Sequence, residues 1–353
     1  MTSDINDLRP ILAVVADGVT LTTQQAETAF DTIMSGDATP SQIGAFLMAL
    51  RLRGETVDEI TAAARIMRSK ALTISAPEGA IDVVGTGGDG AGTLNISTGA
   101  ALVVAGAGVP VAKHGNRALS SKAGAADVLA TLGVNIDADM RLIERSIAEA
   151  GIGFMMAPRH HSATRHVAGP RVELATRTVF NILGPLSNPA GVKRLLVGVY
   201  EKRWVEPMAH VLANLGAERA WVVHGEGGLD ELTSTGDAFV AEFDGTKVRT
   251  FEVTPEEAGL TRGALSDLKG GDGEFNAEAL RNLLNGSPST YRDTVVLTAG
   301  AALIVAGKTD DLRGGVGLAT EAIESGRAMA ALERMVEITN EKLIVDDDEE
   351  ESE

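Results

Sequence analysis

The 353-residue sequence contains no cysteine, which excludes disulfides, thiolate metal sites and a cysteine nucleophile together. Its start, MTSDINDLRPILAVVADG, has no basic stretch leading into an apolar one, and no apolar run anywhere is long enough to span a bilayer. A cytoplasmic protein without membrane contact is the expectation. Positive charge is also scarce. The net charge of −18 argues against a nucleic-acid or anionic-membrane surface. Part of that charge is local, because the chain ends DDDEEESE, and a solvated, disordered tail is expected over 346–353. Removing those seven acids still leaves −11, so an anionic ligand must be drawn by a local basic pocket.

What is present is concentrated between Ile81 and Gly133. A β-branched run, Ile81 to Val84, ends in Gly85, Gly87, Gly88 and Gly90, interrupted by Thr86 and Asp89. Glycine lets successive backbone N–H groups face one anion, so the turn reads as a phosphate cradle. Gly85, Gly87 and Gly90 also satisfy G-x-G-x-x-G, but a dinucleotide site needs an acid about 20 positions on. None occurs between Asp89 and Asp127. Instead Asn95, Ile96, Ser97 and Thr98 open an apolar run as a helix N-terminus should, and such termini bind anions. A strand expected over Val109 to Ala112 then leads into Lys113, His114, Gly115, Asn116 and Arg117, followed by Ser120, Ser121 and Lys122. Alone this is a solvated basic loop or a polyanion cradle. Coupled to the two preceding anion sites, the cradle is preferred.

Two further stretches carry chemistry. Arg159, Arg165, Arg171 and Arg177, with His160, His161 and His166, crowd into nineteen residues. A metal site is disfavoured, since no carboxylate completes it and adjacent histidines point apart in a regular element. A carboxylate pocket suits the arginine fork better, with a solvated helix face as the alternative. Downstream, Gly225 to Gly236 reads GEGGLDELTSTG, with Asp230 and Glu231 side by side after the strand expected over Ala220 to Val223. That is an acidic surface loop or a Mg²⁺ site, since Mg²⁺ uses one or two carboxylates plus substrate phosphates. A polyphosphate cradle elsewhere in the chain favours the metal.

The remaining sequence sets the scaffold. Residues 4 to 70 read as helices, with capping boxes at Thr22/Gln25, Thr39/Gln42 and Thr56/Glu59, Pro40 at a first helical position, and Gly36 and Gly54 as stops. Leu8, Ile11, Leu12 and Val15 form one apolar stripe, and Ile43, Phe46, Leu47 and Leu50 another. So small a bundle leaves faces for a second chain to cover. Beyond it, strands over Ile81 to Val84, Val109 to Ala112, Gly153 to Met156, Leu195 to Val199 and Ala220 to Val223 alternate with helices such as Ala123 to Leu132 and Met140 to Ala150. That pattern predicts an α/β fold with a mainly parallel sheet flanked by helices, and ligands at the strands' carboxyl ends. Asn181 to Pro189 reads as structural punctuation. Asn276 to Leu284, Asp293 to Ala306 and Leu312 to Thr339 read as helices without chemistry. The expected domains are a small all-helical one over 1–72, joined by helices from 162–190, and the α/β domain over 73–345.

The motifs GTGGD, NIST and KHGNRALSSKAGAAD, in this order and spacing, resemble the anthranilate phosphoribosyltransferases of tryptophan biosynthesis. The likeness reaches from the N-terminal helices to about residue 340. It implies transfer of the phosphoribosyl group of 5-phosphoribosyl 1-diphosphate to the amine of anthranilate, Mg²⁺ with two ions per site, and a homodimer through the helical domain. It also implies residue roles. Gly85, Gly88, Asp89, Thr93, Asn95, Ile96, Ser97 and Thr98 match the donor turn and diphosphate cluster. Lys113, His114, Gly115, Asn116, Arg117, Ala118, Leu119, Ser120, Ser121 and Ala125 match the donor's phosphate loop. Ser97, Asp230 and Glu231 match metal positions, while Gly85, Asn116, Arg171 and His161 match acceptor contacts. Only Leu119 and Ala125 depart from the pattern, at positions that vary within it. A pyrimidine nucleoside phosphorylase would share the architecture but leave the Asp230/Glu231 pair idle. A non-catalytic nucleic-acid-binding relative should be basic outside its cleft.

Overall fold

The computed structural model describes residues 8–117 and 122–342. The chain opens with four helices, α1 (Arg9–Ala16), α2 (Thr23–Ser35), α3 (Pro40–Arg53) and α4 (Val57–Ser69). All three expected capping boxes form, each closing two backbone donors that the first turn leaves free. The third does more. Glu59 is buried and also accepts the Leu21 N–H at 2.9 Å while pairing with Arg53, so one carboxylate ties α4 to both preceding connections. Ile43, Phe46, Leu47 and Leu50 are buried as the stripe required.

From β1 (Ile81–Gly85) the chain alternates strand and helix: α5 (Ile96–Gly106), β2 (Val111–Gly115), α6 (Ala125–Thr131), α7 (Met140–Glu149) and β3 (Ile152–Met156). Short α8 (Ala157–His160), α9 (Arg165–Leu174) and α10 (Phe180–Leu183) then return to the helical part, α9 packing on α2 and α3 and α10 on α4. β4 (Arg194–Gly198), α11 (Val205–Asn214) and β5 (Arg219–Gly225) complete the parallel strands. The sheet order is β3-β2-β1-β4-β5-β6-β7. Chain direction across the sheet therefore switches beside β1, and the crevice at such a switch is where α/β sheets place ligands.

Three expectations need correction. The strand read as Val109 to Ala112 is displaced to Val111–Gly115, which draws Lys113 and His114 into the sheet instead of leaving them in a loop. An unforeseen antiparallel hairpin, β6 (Ala238–Phe243) and β7 (Val248–Val253), covers the β5 edge through a turn at Asp244 and Gly245. After α12 (Gly273–Leu284) and α13 (Thr290–Val305), the single helix expected over Leu312 to Thr339 is two, α14 (Leu312–Glu324) and α15 (Arg327–Thr339), because Gly326 takes a left-handed φ of 76°. The core lies between sheet and helices. α13 is buried from Thr294 to Val305 and packs on α5, itself buried from Thr98 to Gly106.

Candidate active site

The donor turn is built around a notch between two strand ends. Gly85 of β1 lies in register with Gly198 of β4, and the loop carrying Asp230 packs directly over both. A Cβ on Gly85 would stand 2.5 Å from Asp230 Oδ2, and one on Gly198 only 1.6 Å from the Asp230 carbonyl oxygen. Glycine is required here for close approach, not for flexibility. Asp230 Oδ2 then accepts the Gly87 N–H at 2.6 Å, while Thr86 donates to the Gly198 carbonyl and receives the Tyr200 N–H on its hydroxyl. The rest of the turn, through Asp89, which caps Ala91, stays near the surface with its backbone exposed.

The first turn of α5 closes the second side. The Ser97 N–H is directed at the Glu231 carboxylate and favours its charged form, and the Ser97 hydroxyl lies 3.4 Å from Lys113 Nζ. Thr98 Oγ1 is buried and unpartnered among the described residues. Asn95 stands at the N-terminus of α5 as the sequence places it, but its side chain makes no bond to the first turn. Its amide bonds the Ala123 carbonyl and Asn276, and its own carbonyl accepts the Tyr291 hydroxyl. Thr93 bridges Lys269, and the flanking Gly92 and Leu94 bond Gly270 and Leu268, so residues 268–270 brace the turn from behind. Nothing in the local sequence there signals this.

Lys113 is 2% exposed, its ammonium bonded to the Val83 carbonyl at 2.7 Å and facing Asp82 and Glu231. Asn116 bonds backbone at both ends of its loop, whereas Arg117 lies outside, paired with Asp127 at 3.0 Å on the surface. Gly115 and Ala125 sit side by side beneath them. Ala118, Leu119, Ser120 and Ser121 lie outside the described residues.

The acidic pair is not a surface loop. Asp230 is buried, and that burial, followed by the charge of neighbouring Asp89, pushes its carboxyl up to about 7. Burial and then Asp230 push Glu231 well above the ordinary range. Crowded desolvated carboxylates of this kind fit a divalent cation. Among the described residues no three carboxylate or imidazole groups form a cage, so such a cation would need oxygens from the ligand itself, as Mg²⁺ does on phosphates.

The residues that the resemblance matches to the acceptor lie towards the helical part. His161 packs edge-on against His114 with centroids 5.0 Å apart, and each ring leaves a buried Nε2 unpartnered among the described residues. Burial and then His161 lower His114 to about 3, and burial and then His160 lower His161 to about 4, so both rings are neutral. His160 separates from them, its Nδ1 on the Leu72 carbonyl. Arg171 lies in the last turn of α9 with its guanidinium 5.7 Å from the Phe180 ring and no carboxylate partner among the described residues.

Comparison with known proteins bears directly on this site. Residues 9–71 match the model of the glycosyl transferase family, helical bundle domain, and residues 77–329 that of the glycosyl transferase family, a/b domain. The chain is 63% identical over 336 residues to an anthranilate phosphoribosyltransferase of a Chelativorans species, covering 95% of this chain and 99% of the relative. The chain belongs to the anthranilate phosphoribosyltransferase family. Its fold agrees with the crystal structure of that enzyme from Thermus thermophilus, at TM-score 0.89 and 46% identity over 93% of this chain and 98% of that one. It agrees also with the Saccharomyces cerevisiae enzyme in complex with PRPP and Mg, at TM-score 0.86 and 27% identity over 95% and 99%.

Within this phosphoribosyltransferase fold, Arg177, which the sequence shows only as a member of the basic cluster, reaches the glycine turn. It stacks 4.0 Å above the Tyr200 ring and donates to the Gly88 carbonyl, while Arg51 of α3 donates to its own carbonyl. Asp82 and Asn188 form a buried bond at 2.7 Å beneath Lys113. A carboxylate inside an apolar strand was the available signal for the second.

Proposed function

We infer that this chain transfers the phosphoribosyl group of 5-phosphoribosyl 1-diphosphate to the amine of anthranilate, giving N-(5-phosphoribosyl)anthranilate and diphosphate in tryptophan biosynthesis. One observation carries the reading beyond family membership: a glycine turn, a helix N-terminus, a buried lysine and a buried acidic pair converge at the carboxyl ends of β1, β2 and β5.

In the reaction a bond forms between the anthranilate nitrogen and the anomeric carbon as the bond to the diphosphate oxygen breaks, and the amine loses a proton. The transition state is oxocarbenium-like, with charge building on the departing diphosphate. Gly85, Gly88, Asp89, Thr93 and Asn95 to Thr98 would hold the donor's diphosphate, with Lys113 to Ser121 and Ala125 enclosing its phosphates. Ser97, Asp230 and Glu231 would hold Mg²⁺, in two ions per site. Bound there with the donor, Mg²⁺ supplies charge neutralisation for the leaving diphosphate. Arg171 is suited to the acceptor carboxylate, with Gly85, Asn116 and His161 lining the acceptor pocket. A neutral His161 adds no second cation to compete for that carboxylate. No nucleophile–base couple is required, since the aromatic amine is nucleophilic when neutral, and catalysis rests on placement and electrostatics.

The same reading includes a homodimer through residues 1–72 with helices from 162–190, supported by the exposure of Leu52 and Val172 in that region. The α/β domain would then run over 73–345. Nucleic-acid binding is disfavoured by the acidic surface, and a cytoplasmic site of action suits the substrates. No described helix is long and apolar enough to cross a membrane.

The testing measurement is the loss of anthranilate fluorescence on mixing protein with phosphoribosyl diphosphate, with and without Mg²⁺. Mg²⁺-dependent loss is expected. Folded protein showing none, but splitting pyrimidine nucleosides with phosphate, would replace this reading with the phosphorylase one.

A further inference from the structure

The strands that frame the donor site are held apart by a polar wedge. β1 and β2 are parallel neighbours, yet their ladder is registered only at Ile81 opposite Val111. Beyond that pair, side chains stand in for the ladder. The His114 N–H reaches across to Asp82 Oδ1 at 3.3 Å, and the Val83 carbonyl receives the Lys113 ammonium at 2.7 Å. Asn188 lies between, its amide donating to Asp82 Oδ2 at 2.7 Å and to the Ala112 carbonyl at 2.9 Å. Asn188 is itself fixed, its Oδ1 accepting the Ala190 N–H at 2.9 Å. Buried strand groups that lose their ladder partners must find others, and the His114 N–H and the Val83 and Ala112 carbonyls find theirs in these side chains.

The wedge is charged, and its charges are asymmetric. Asp82 is fully buried, and its carboxylate faces Lys113 from the sheet side. On the crevice side, among the described residues, Lys113 meets Ser97 Oγ at 3.4 Å and the charge of Glu231. A buried ion pair of this kind adds little net stability compared with an apolar pair of equal size, so its retention calls for another use. Without Asp82, Glu231 would be the only anion left to attract the ammonium, and Lys113 would neutralise a carboxylate at the proposed metal position instead of presenting charge to the ligand.

We propose that Asp82, clamped by Asn188, is a positioning residue for the transfer reaction: it seats the Lys113 ammonium at the floor of the donor site and keeps it off Glu231. The proposal rests on the donor reading above and extends it to residues that contact no substrate.

The test compares wild type, Asp82→Asn, Lys113→Met and the double variant, by steady-state kinetics, by thermal midpoint, and by the rise in midpoint that phosphoribosyl diphosphate induces. Asp82→Asn should raise KM for the donor at least about tenfold, the scale of one charge-assisted contact, and leave KM for anthranilate unmoved. It should also lower the midpoint, because the buried Lys113 ammonium loses the carboxylate that faces it from the sheet side. In the double variant both charges are gone, so the midpoint should recover while the donor KM and the donor-induced shift stay at the Lys113→Met values. A merely structural role predicts that the donor KM recovers with the midpoint, and that result overturns the proposal. So does an unchanged donor KM in Asp82→Asn. Should that single variant fail to fold, the double variant against Lys113→Met decides alone: equal donor KM supports the proposal and unequal overturns it. An inactive but folded wild type would instead remove the donor reading on which the proposal stands.

Discussion

Asp230 Oδ2 accepts the N–H of Gly87 from 143 positions away in the chain, and this bond joins the acidic loop to the glycine turn. The two motifs that the sequence offered separately are thus one device. Moving the loop removes both the carboxylates and the brace that shapes the turn.

The acidic pair should matter through the metal. Asp230→Asn with Glu231→Gln keeps an oxygen for the Gly87 N–H, so the fold survives, but apparent Mg²⁺ affinity should fall roughly 10- to 100-fold. Turnover titrated with Mg²⁺ reads this directly. Wild-type turnover at limiting Mg²⁺ would take the pair out of the mechanism.

Arg171→Ala should raise KM for anthranilate by about 2 kcal/mol, or about thirtyfold, with the donor KM unchanged. The guanidinium rests against Phe180 with no carboxylate partner among the described residues, so little stability is lost with it. A rise confined to the donor KM would mean that Arg171 serves the other substrate.

The notch predicts a sharp contrast among glycines. Gly198→Ala places a methyl group inside the Asp230 carbonyl and should cost about 3 kcal/mol or more, with activity lost as the loop lifts. Gly317→Ala, on the exposed side of α14 with no atom within reach, should instead stabilise by about 0.5–1 kcal/mol. Equal denaturation midpoints for the two would refute the close packing at Gly198.

His161 makes stability depend on pH in a defined window. Its folded pKa, about 4, lies below the ordinary 6.5, so between these values the unfolded chain binds more protons and stability falls as pH falls. His161→Gln removes this slope. Relative to that variant, wild type should lose on the order of 2 kcal/mol on going from pH 7 to pH 4, measured by urea denaturation. Asp82, raised to about 6 by burial, has the opposite slope, but it is common to both proteins and cancels in the difference.

Local chemistry explains which features could be read from the chain. Capping boxes at Thr22, Thr39 and Thr56 are closed by side chains three positions on, so they are complete within the sequence. The five parallel strands show as apolar runs because both faces of the sheet are covered. The β6–β7 hairpin had a signal in Asp244-Gly245 between alternating flanks, but a reading committed to strand–helix repeats did not use it. Lys113 was placed in a loop because a charged residue marks the end of an apolar run. Its burial depends on Asp82 and Asn188, which lie 31 and 75 positions away, and no local pattern encodes such a pairing. Asn95 opens α5 where the sequence places it, but its side-chain partners Ala123 and Asn276 are remote and leave no local signal.

Arg177 has a mechanical consequence. Its carbonyl is held by Arg51 from the helical part, its ring stack rests on the loop after β4, and its guanidinium grips the glycine turn at Gly88. One residue is therefore a tie-rod between the region assigned to the acceptor and the region assigned to the donor. Displacing either region would therefore be felt at the other through this one side chain, and Arg177→Ala should leave both regions folded but slack with respect to each other.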